Sequence, residues 1–341
     1  MALVKNGKLL FNERPQDYPI PGKTTVYDES ETIDLDNVPL NGGYLLKVLC
    51  VSLDPYMRGR MKDSKSYVGG FEIGKPLSNF GVGVVLRTEF DNVKVGDHVY
   101  YMGMPFQKYV ILPNLENARV IKNEENFPWT VYTGVLGMPG LTAYCAWKEY
   151  SRAKKGEVAF ITTAGGPVGS FVVQLAKADG LKVIASAGSE EKVEFVKNLG
   201  ADVVFNYKTT NTADVLEKEG PIDVYWDNVG GTTLDAALAN AALHSRFIEC
   251  GMISGYNVDA PPIRNLMNIV GRQITMTGFI IGFIAEKYLS DFYTEVPKLI
   301  KNGTIKYKED VTNGLEYAGH VMEAVQRGTN KGKAVVVVAD E

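Results

Sequence analysis

The chain is poor in the residues that build disulfides and metal sites, with three cysteines and three histidines in 341 residues. Cys50, Cys145 and Cys250 stand far apart and form no Cys-x-x-Cys pair, which excludes that metal-ligand motif and suits a reducing compartment. His98, His244 and His320 are equally scattered. An excess of one charge is also missing: 36 basic and 40 acidic residues are interspersed for a net charge of −4, which marks neither nucleic acid nor a membrane surface as a partner. Met1-Ala-Leu-Val-Lys-Asn-Gly lacks an apolar signal core, and the runs 278–285 and 334–339 are too short to span a bilayer. A soluble, cytoplasmic protein is expected. There are no internal repeats and no low-complexity segments.

What the chain does have is length for two domains and two different textures. From Gly43 to Leu112 short β segments alternate with glycine and polar turns, at 44–51, 81–88, 98–102 and 106–112. From Pro139 the pattern becomes strand and helix in alternation, the signature of a parallel sheet with crossovers, with strands expected near 158–162, 182–186, 202–205, 222–226, 246–250 and 274–280. A helix around Leu315 to Gln326 and a last strand from Ala334 to Ala339 follow, the strand returning to pair with the N-terminal β domain. The fold class expected is α/β, a β domain over 1–128 completed by 306–341 and a doubly wound parallel sheet over 129–305.

Val158-Ala-Phe-Ile-Thr-Thr-Ala-Gly-Gly-Pro-Val-Gly169 reads as a buried strand, a glycine turn and a helix running from Pro167 to Asp179. Glycines at 165, 166 and 169 permit a sharp turn and a close approach to a pyrophosphate, and Pro167 suits a first helical position. The helix N-terminus then turns unpaired N–H groups toward the phosphates. Any tight strand-to-helix turn of an α/β protein shares this pattern, so the residues after it decide. The second strand ends in Ala185-Ser-Ala-Gly-Ser189, with no acid where an NAD site places one for the ribose hydroxyls, which leaves room for the 2′-phosphate of NADP. Ser189 is a good N-cap, and Lys192 sits in the following first turn against the helix dipole, either awaiting an anion or pointing to solvent and pairing with Glu191. Tyr207 closes over the same end of the cofactor or is an edge aromatic.

Three further segments carry a resemblance: Leu53-Asp-Pro-Tyr-Met-Arg-Gly-Arg-Met61, Asp223-Val-Tyr-Trp-Asp-Asn-Val-Gly-Gly231, and Arg246-Phe-Ile-Glu-Cys-Gly-Met-Ile-Ser-Gly-Tyr-Asn257. Together they resemble the zinc-free medium-chain dehydrogenase/reductases, in the branch of prostaglandin reductase and the plant NADPH-dependent alkenal double-bond reductases. The zinc members' Gly-His-Glu is replaced by Phe80-Gly-Val-Gly83, and the cysteines are too few for their zinc lobe. The resemblance implies a GroES-like β domain plus a Rossmann domain, no metal, NADPH as cofactor, and a homodimer paired through the apolar segment 275–285, although an internal strand accounts for that composition equally well. It implies pyrophosphate contacts at Gly166, Pro167, Val168 and Gly169 and 2′-phosphate contacts at Lys192 and Tyr207, with Gly188 beside them. Asn228, the run Cys250, Gly251, Ile253, Ser254 and Tyr256, then Phe279, Ile280 and Ile281, and finally Asn330, complete the cradle. The chain departs from the family at Gly165, usually serine, at Pro167, usually alanine, and at Gly282, where an aromatic is usual.

A conjugated enal or enone needs only a hydrogen-bond donor on its carbonyl oxygen as hydride reaches the β carbon, because the charge delocalises as an enolate. The expected activity is therefore NADPH-dependent reduction of the C=C bond of α,β-unsaturated ketones or aldehydes, of EC 1.3.1 type. Tyr256, in a glycine-flanked loop past a strand end, is the expected donor, a phenol having a reference pKa of about 10; its alternative is core packing. Tyr56 is the second candidate, at the nicotinamide end, on the substrate carbonyl or as a stacking wall. Arg58 and Arg60 pair locally or steer a carboxylate, and Met57, Met102, Met104 and Phe106 form an apolar wall or plain core. The alternatives in function are a quinone oxidoreductase using the same cofactor and a non-catalytic NADPH-binding protein.

Overall fold

Short runs of β-branched and apolar residues, each ended by a glycine or a capping residue, line up as a six-stranded parallel sheet in the computed structural model, which describes residues 3–63 and 67–341. Across the sheet the strands are Val203–Asn206, Lys182–Ala187, Val158–Ile161, Ile222–Asp227, Ala241–Glu249 and Thr275–Gly278. The first strand in the chain lies in the middle, and the winding reverses between it and Ile222–Asp227. That reversal opens a crevice at the carboxyl ends of the two strands, where doubly wound sheets bind ligands. Both faces are covered, so the strands are apolar throughout: Phe160 stacks on Tyr225 at 5.3 Å, and Tyr225 meets Phe247 edge-on at 5.0 Å.

The strand expected at 246–250 begins at Ala241. Leu243-His244-Ser245 interrupts the apolar pattern, but a register shift between Ile222 and Val224 and a left-handed His244, with φ 62°, let the pairing continue through it. Inside this strand Arg246 is buried. Its Nε donates to the Ser151 carbonyl at 2.7 Å and its Nη2 to the Arg152 carbonyl at 3.2 Å, while the fork grips the Glu157 carboxylate at 3.0 and 2.5 Å. Against the upward push of burial, the guanidinium holds the Glu157 carboxyl below its usual range.

This sheet with its helices forms one unit, Met138–Lys308; the other is Met1–Gly137 with Glu309–Glu341. The second unit is built on a sheet in the order Glu309–Asn313, Lys333–Val337, Tyr44–Ser52, Ser78–Thr88, His98–Pro105 and Ala118–Val120, with Tyr109–Leu112 also on Tyr44–Ser52. The C-terminal strand returns to the N-terminal one, Val336 opposite Val51, as its apolar run led one to expect. The boundary expected at 128/129 lies at 137/138. Trp129 stacks on His98 at 3.7 Å and donates to Glu341 at 2.8 Å, which keeps the following turn, Trp129–Thr133, with the β unit.

Replacing Arg246 by Leu leaves the half-buried Glu157 without its partner and is expected to cost about 2–3 kcal/mol in urea unfolding, below the roughly 3–5 kcal/mol of a fully buried pair, most of it recovered when Glu157 also becomes Leu. A loss below about 1 kcal/mol would mean that the pair is screened like a surface salt bridge.

Candidate functional site

In the parallel-sheet unit, the turn after Ile161 delivers the chain to the helix Pro167–Ala178. Gly166 is its N-cap in an extended conformation and offers no side-chain cap, so the first N–H groups face outward from the helix end with their share of the macrodipole. Pro167 fills the first turn, where its lack of an N–H costs nothing. A Cβ on Gly169 would lie 2.6 Å from the Thr163 carbonyl oxygen and 2.9 Å from the Ala164 Cα, so only glycine lets the helix seat this closely on the turn. Gly166, Pro167 and Val168 are half-buried around the same corner.

Gly165 has a different partner. A Cβ there would meet the Cβ, Cγ and Cδ of Lys192 at 2.9, 3.0 and 3.1 Å, so the lysine stem runs across the glycine turn in the space a serine would occupy. Lys192 is placed by its own helix, Glu190–Lys197, whose N-cap Ser189 accepts from the Lys192 N–H at 3.3 Å. Glu191, the alternative partner of Lys192, has its carboxylate 2.8 Å from Lys308. Glu190, the first acid after the second strand, accepts from Asn206 at 2.8 Å. The Tyr207 hydroxyl comes to 3.0 Å from where a Cβ of Gly188 would be, and the residue is 47% exposed. Gly165, Gly188, Lys192 and Tyr207 are thereby brought together: two glycines admit a cation and a phenol at the end of a strand that has no carboxylate. That corner suits a phosphate ester on the adenosine ribose.

Across the switch point the strand ends are laced by side chains. Thr162 Oγ1 donates to the Trp226 carbonyl at 3.1 Å and accepts from the Asn228 N–H at 2.8 Å. The Asn228 amide donates to the Thr162 carbonyl at 2.9 Å and accepts from the Trp226 indole at 3.3 Å. Asn228 therefore joins the first and fourth strands through its side chain, a structural task its sequence context did not disclose. The loop after the fifth strand is hung on the same turn: Cys250 and Gly251 donate to the Asp227 carbonyl at 2.9 and 3.1 Å, Ile253 to Asn228 at 3.2 Å and Ser254 to Val229 at 3.0 Å. Gly230 and Gly231, with φ of 68° and 54°, make the turn that faces this loop. Tyr256 is half-buried at the loop's end and folds its hydroxyl over Gly251, 3.1 Å from where a Cβ would stand. Phe279 packs edge-on against Trp226 at 6.0 Å and tilted on Tyr150 at 5.8 Å, with Ile280 and Ile281 following as a short turn.

Beneath these loops lies a cluster that sequence reasoning missed. Asp227 and Glu249 are register partners on adjacent parallel strands, so their side chains share a face of the sheet. Asp227 Oδ1 accepts from Val229 and Gly230 at 2.7 and 2.9 Å. Its Oδ2 and both oxygens of Glu249 are buried, and no N–H or cation of the described residues donates to them. Two carboxyls facing each other in a buried place favour a proton on one of them. Burial first and the facing Asp227 second push Glu249 up to about 9. Burial and then the same two acids drive the Cys250 thiol up to about 12, and burial raises Tyr225 likewise.

In the β unit, Tyr56 opens the one-turn helix Met57–Arg60 and belongs to a polar chain. Its hydroxyl donates to Asn79 Oδ1; Asn79 Nδ2 donates at 2.9 Å to both the Ser52 carbonyl and Asp54 Oδ2; Lys333 Nζ donates to Asp54 Oδ1 at 3.0 Å and to the Leu53 carbonyl at 2.8 Å. The arginines are tied locally. Buried Arg58 donates to the carbonyls of Asp17, Pro15 and Gln16, and Arg60 donates to Gly69 and Ser78 with its guanidinium 4.0 Å over Phe71. Met57, Met104 and Phe106 are buried core and Met102 is exposed. Asn330 donates to the Gly332 carbonyl at 2.7 Å. Among the described residues no three His, Cys, Asp or Glu side chains gather as a metal site, and no helix is long and apolar enough to cross a membrane.

The family model described as zinc-binding dehydrogenase matches residues 167–301, and the one described as N-terminal domain of oxidoreductase matches residues 8–120. A zinc-type alcohol dehydrogenase-like protein of Schizosaccharomyces pombe is 40% identical over 332 residues, covering 95% of each chain. The NADP-dependent 2-alkenal reductase of Nicotiana tabacum is 37% identical over 93% of this chain and 95% of its own, and the (+)-pulegone reductase of Mentha piperita is 37% identical over 88% and 89%. Among solved structures, CurA of Vibrio vulnificus in complex with NADPH superposes with a TM-score of 0.90 at 30% identity, covering 98% of this chain and 100% of that one.

The carboxyl pair predicts a pH dependence with a definite sign. Folded Glu249 keeps its proton to about pH 9, whereas the unfolded chain releases it near the ordinary value of 4.5, so the stabilising effect is complete below that value and is lost as pH rises toward 9. Glu249→Gln, a neutral donor of the same shape, is expected to gain on the wild type in urea midpoint steadily across this window. A difference that stays constant with pH would place no titrating proton on the pair.

Proposed function

The chain belongs to the medium-chain dehydrogenase/reductases, in their NADP-dependent alkenal reductase branch, and on that premise we propose that it uses NADPH to reduce the C=C bond of α,β-unsaturated aldehydes and ketones. The observation that carries the reading is the corner of Gly165, Gly188, Lys192 and Tyr207, where a cation and a phenol stand together at a strand end without an acid. The tobacco and peppermint relatives, named for an alkenal and an enone, support the substrate class.

In this reading the N–H groups at Gly166 to Gly169 bind the pyrophosphate, and Lys192 and Tyr207 hold the 2′-phosphate. The reduced nicotinamide supplies the hydride. The turn at Asn228 and the loop from Cys250 to Tyr256 shape the wall beside it, held in register by the Thr162 lacing and by the shared proton of Asp227 and Glu249. Tyr256 donates a hydrogen bond to the substrate carbonyl oxygen as negative charge builds there; a single donor of this kind is worth about 10²–10³ in turnover. No metal is required, because charge passes to the carbonyl oxygen through conjugation. We further propose a homodimer formed through the strand Thr275–Gly278, which is the outer strand of its sheet, with Phe283 88% and Met267 77% exposed nearby in the chain, and a cytoplasmic site of action. Sedimentation at a single-chain mass would remove the dimer.

Absorbance at the reduced nicotinamide band, followed with a panel of enals, enones and quinones and with products identified by mass spectrometry, tests the activity. The expected product is the saturated carbonyl, with NADPH preferred over NADH; hydroquinone as sole product would move the activity to the quinones. Lys192→Ala is expected to weaken NADPH by about 1.5–3 kcal/mol while leaving NADH nearly unchanged, since only NADPH carries the phosphate. Equal losses for the two cofactors would remove Lys192 from the phosphate site. Tyr256→Phe is expected to lower kcat about 10²-fold with NADPH binding retained. An unchanged kcat would assign the proton to another source.

A further inference from the structure

Two acids, Glu190 and Glu191, open the helix Glu190–Lys197 in the same turn as Lys192. The positive end of a helix favours carboxylates. A phosphate ester, carrying nearly two negative charges, does not: at the corner of Gly165, Gly188, Lys192 and Tyr207 it meets one lysine with two anions beside it in the chain. A loose carboxylate here would also do what the acid of an NAD site does, which is to accept from the ribose hydroxyls. The fold gives each acid a partner of its own. Asn206, the last residue of its strand, donates from Nδ2 to Glu190 Oε1 at 2.8 Å while its Oδ1 accepts from the Lys208 N–H at 3.1 Å, so the amide has one orientation and Glu190 one place. Lys308 holds Glu191 at 2.8 Å. It arrives from more than a hundred residues away, and its position is set by Gln174 of the helix Pro167–Ala178, whose amide accepts from the Lys306 N–H at 2.8 Å and donates to the Lys306 carbonyl at 2.9 Å. From that anchorage the Lys308 ammonium reaches Glu191 and lies 5.9 Å from the ring of Phe195, one turn further along the same face of the helix.

We propose that Lys308 is a specificity-determining residue for the phosphorylated cofactor and that it acts through Glu191: it neutralises that carboxylate and holds it away from Lys192, so that the 2′-phosphate meets the lysine without a competing anion. Asn206 does the same for Glu190 by position alone. This rests on the assignment of the corner to the 2′-phosphate and adds to it a positioning residue, Lys308, that acts through another side chain. Preference for NADPH over NADH is then set by the disposal of two acids as well as by the cation.

Titration of the protein with NADPH and with NADH, followed by nicotinamide fluorescence, tests this without any substrate. Lys308→Met is expected to weaken NADPH about three- to tenfold at low salt and to leave NADH no weaker, and the loss should shrink in about 0.5 M salt, where exposed charges are screened. The melting temperature should stay close to that of wild type, because a pair with side chains 35% and 48% exposed contributes little to stability. Lys308→Arg, which keeps the charge, should retain the wild-type ratio of the two affinities. Lys308→Gln takes the place of the methionine variant if that one does not fold. In a Glu191→Gln background the loss of Lys308 should cost NADPH less than about twofold, since no carboxylate is left to restrain. An equal loss in both backgrounds would make Lys308 a distant charge acting on the phosphate directly and overturn the proposal. So would an unchanged affinity ratio in Lys308→Met while Lys192→Ala still abolishes the preference, an outcome that leaves the phosphate corner standing. A wild type that binds the two cofactors alike removes the corner and the proposal together.

Discussion

Where the strands ending at Ile161 and Asp227 part company, their backbone groups lose the ladder that paired them, and the glycine turn and the turn at Asn228 start from that gap. Buried N–H and C=O groups must be paired by something. Here Thr162 and Asn228 do it, each bonding to the other's backbone, while Asp227 closes the next turn through its side chain and holds Cys250 and Gly251 through its carbonyl. The glycine turn on one side and the Tyr256 loop on the other inherit their positions from this lacing. Asn228 thus acts chiefly through the frame.

The corner of Gly165, Gly188, Lys192 and Tyr207 shows two uses for glycines beside a strand end. The sequence displays them as turn formers, and Gly169 is one, excluded from any other side chain by the Thr163 carbonyl. Gly165 and Gly188 have a second function, which is to leave room for Lys192 and Tyr207. The Lys192 stem takes the space that a side chain at Gly165 would fill, beside a strand end that carries no acid. Pattern reading could name Gly165, Gly188, Lys192 and Tyr207 separately because each stands near a strand end. It could not show the contact that couples them.

Legibility followed sequence distance. The six parallel strands, the helix from Pro167 and the returning C-terminal strand were readable because apolar period and turn residues are local signals. The fifth strand was read short because His244 breaks the pattern while the pairing persists. The polar chain from Lys333 to Tyr56 was unreadable for a plain reason: Lys333 and Asp54 are joined only by the fold, and nothing near either residue predicts a buried ion pair. Asp227 and Glu249 were hidden likewise, their proximity arising from parallel register.

Those two clusters answer one physical problem in opposite ways. A buried carboxylate is tolerated when it is neutralised and its lone pairs are filled. Asp54 is neutralised by a buried lysine and surrounded by donors, so each hydrogen bond in its chain has one allowed direction, and that direction propagates to Tyr56. Asp227 has no cation; it faces Glu249 across the strands, and burial of the two acids keeps a proton on the pair while Asp227 Oδ1 caps the turn. The first solution transmits polarity through hydrogen bonds of fixed direction. The second holds a loop in place and carries a pH dependence with it. Of the two tyrosines, Tyr56 gives its proton to Asn79 within the Asp54 cluster. Tyr256, half-buried at the end of the loop, has its hydroxyl beside Gly251 and outside that chain of bonds.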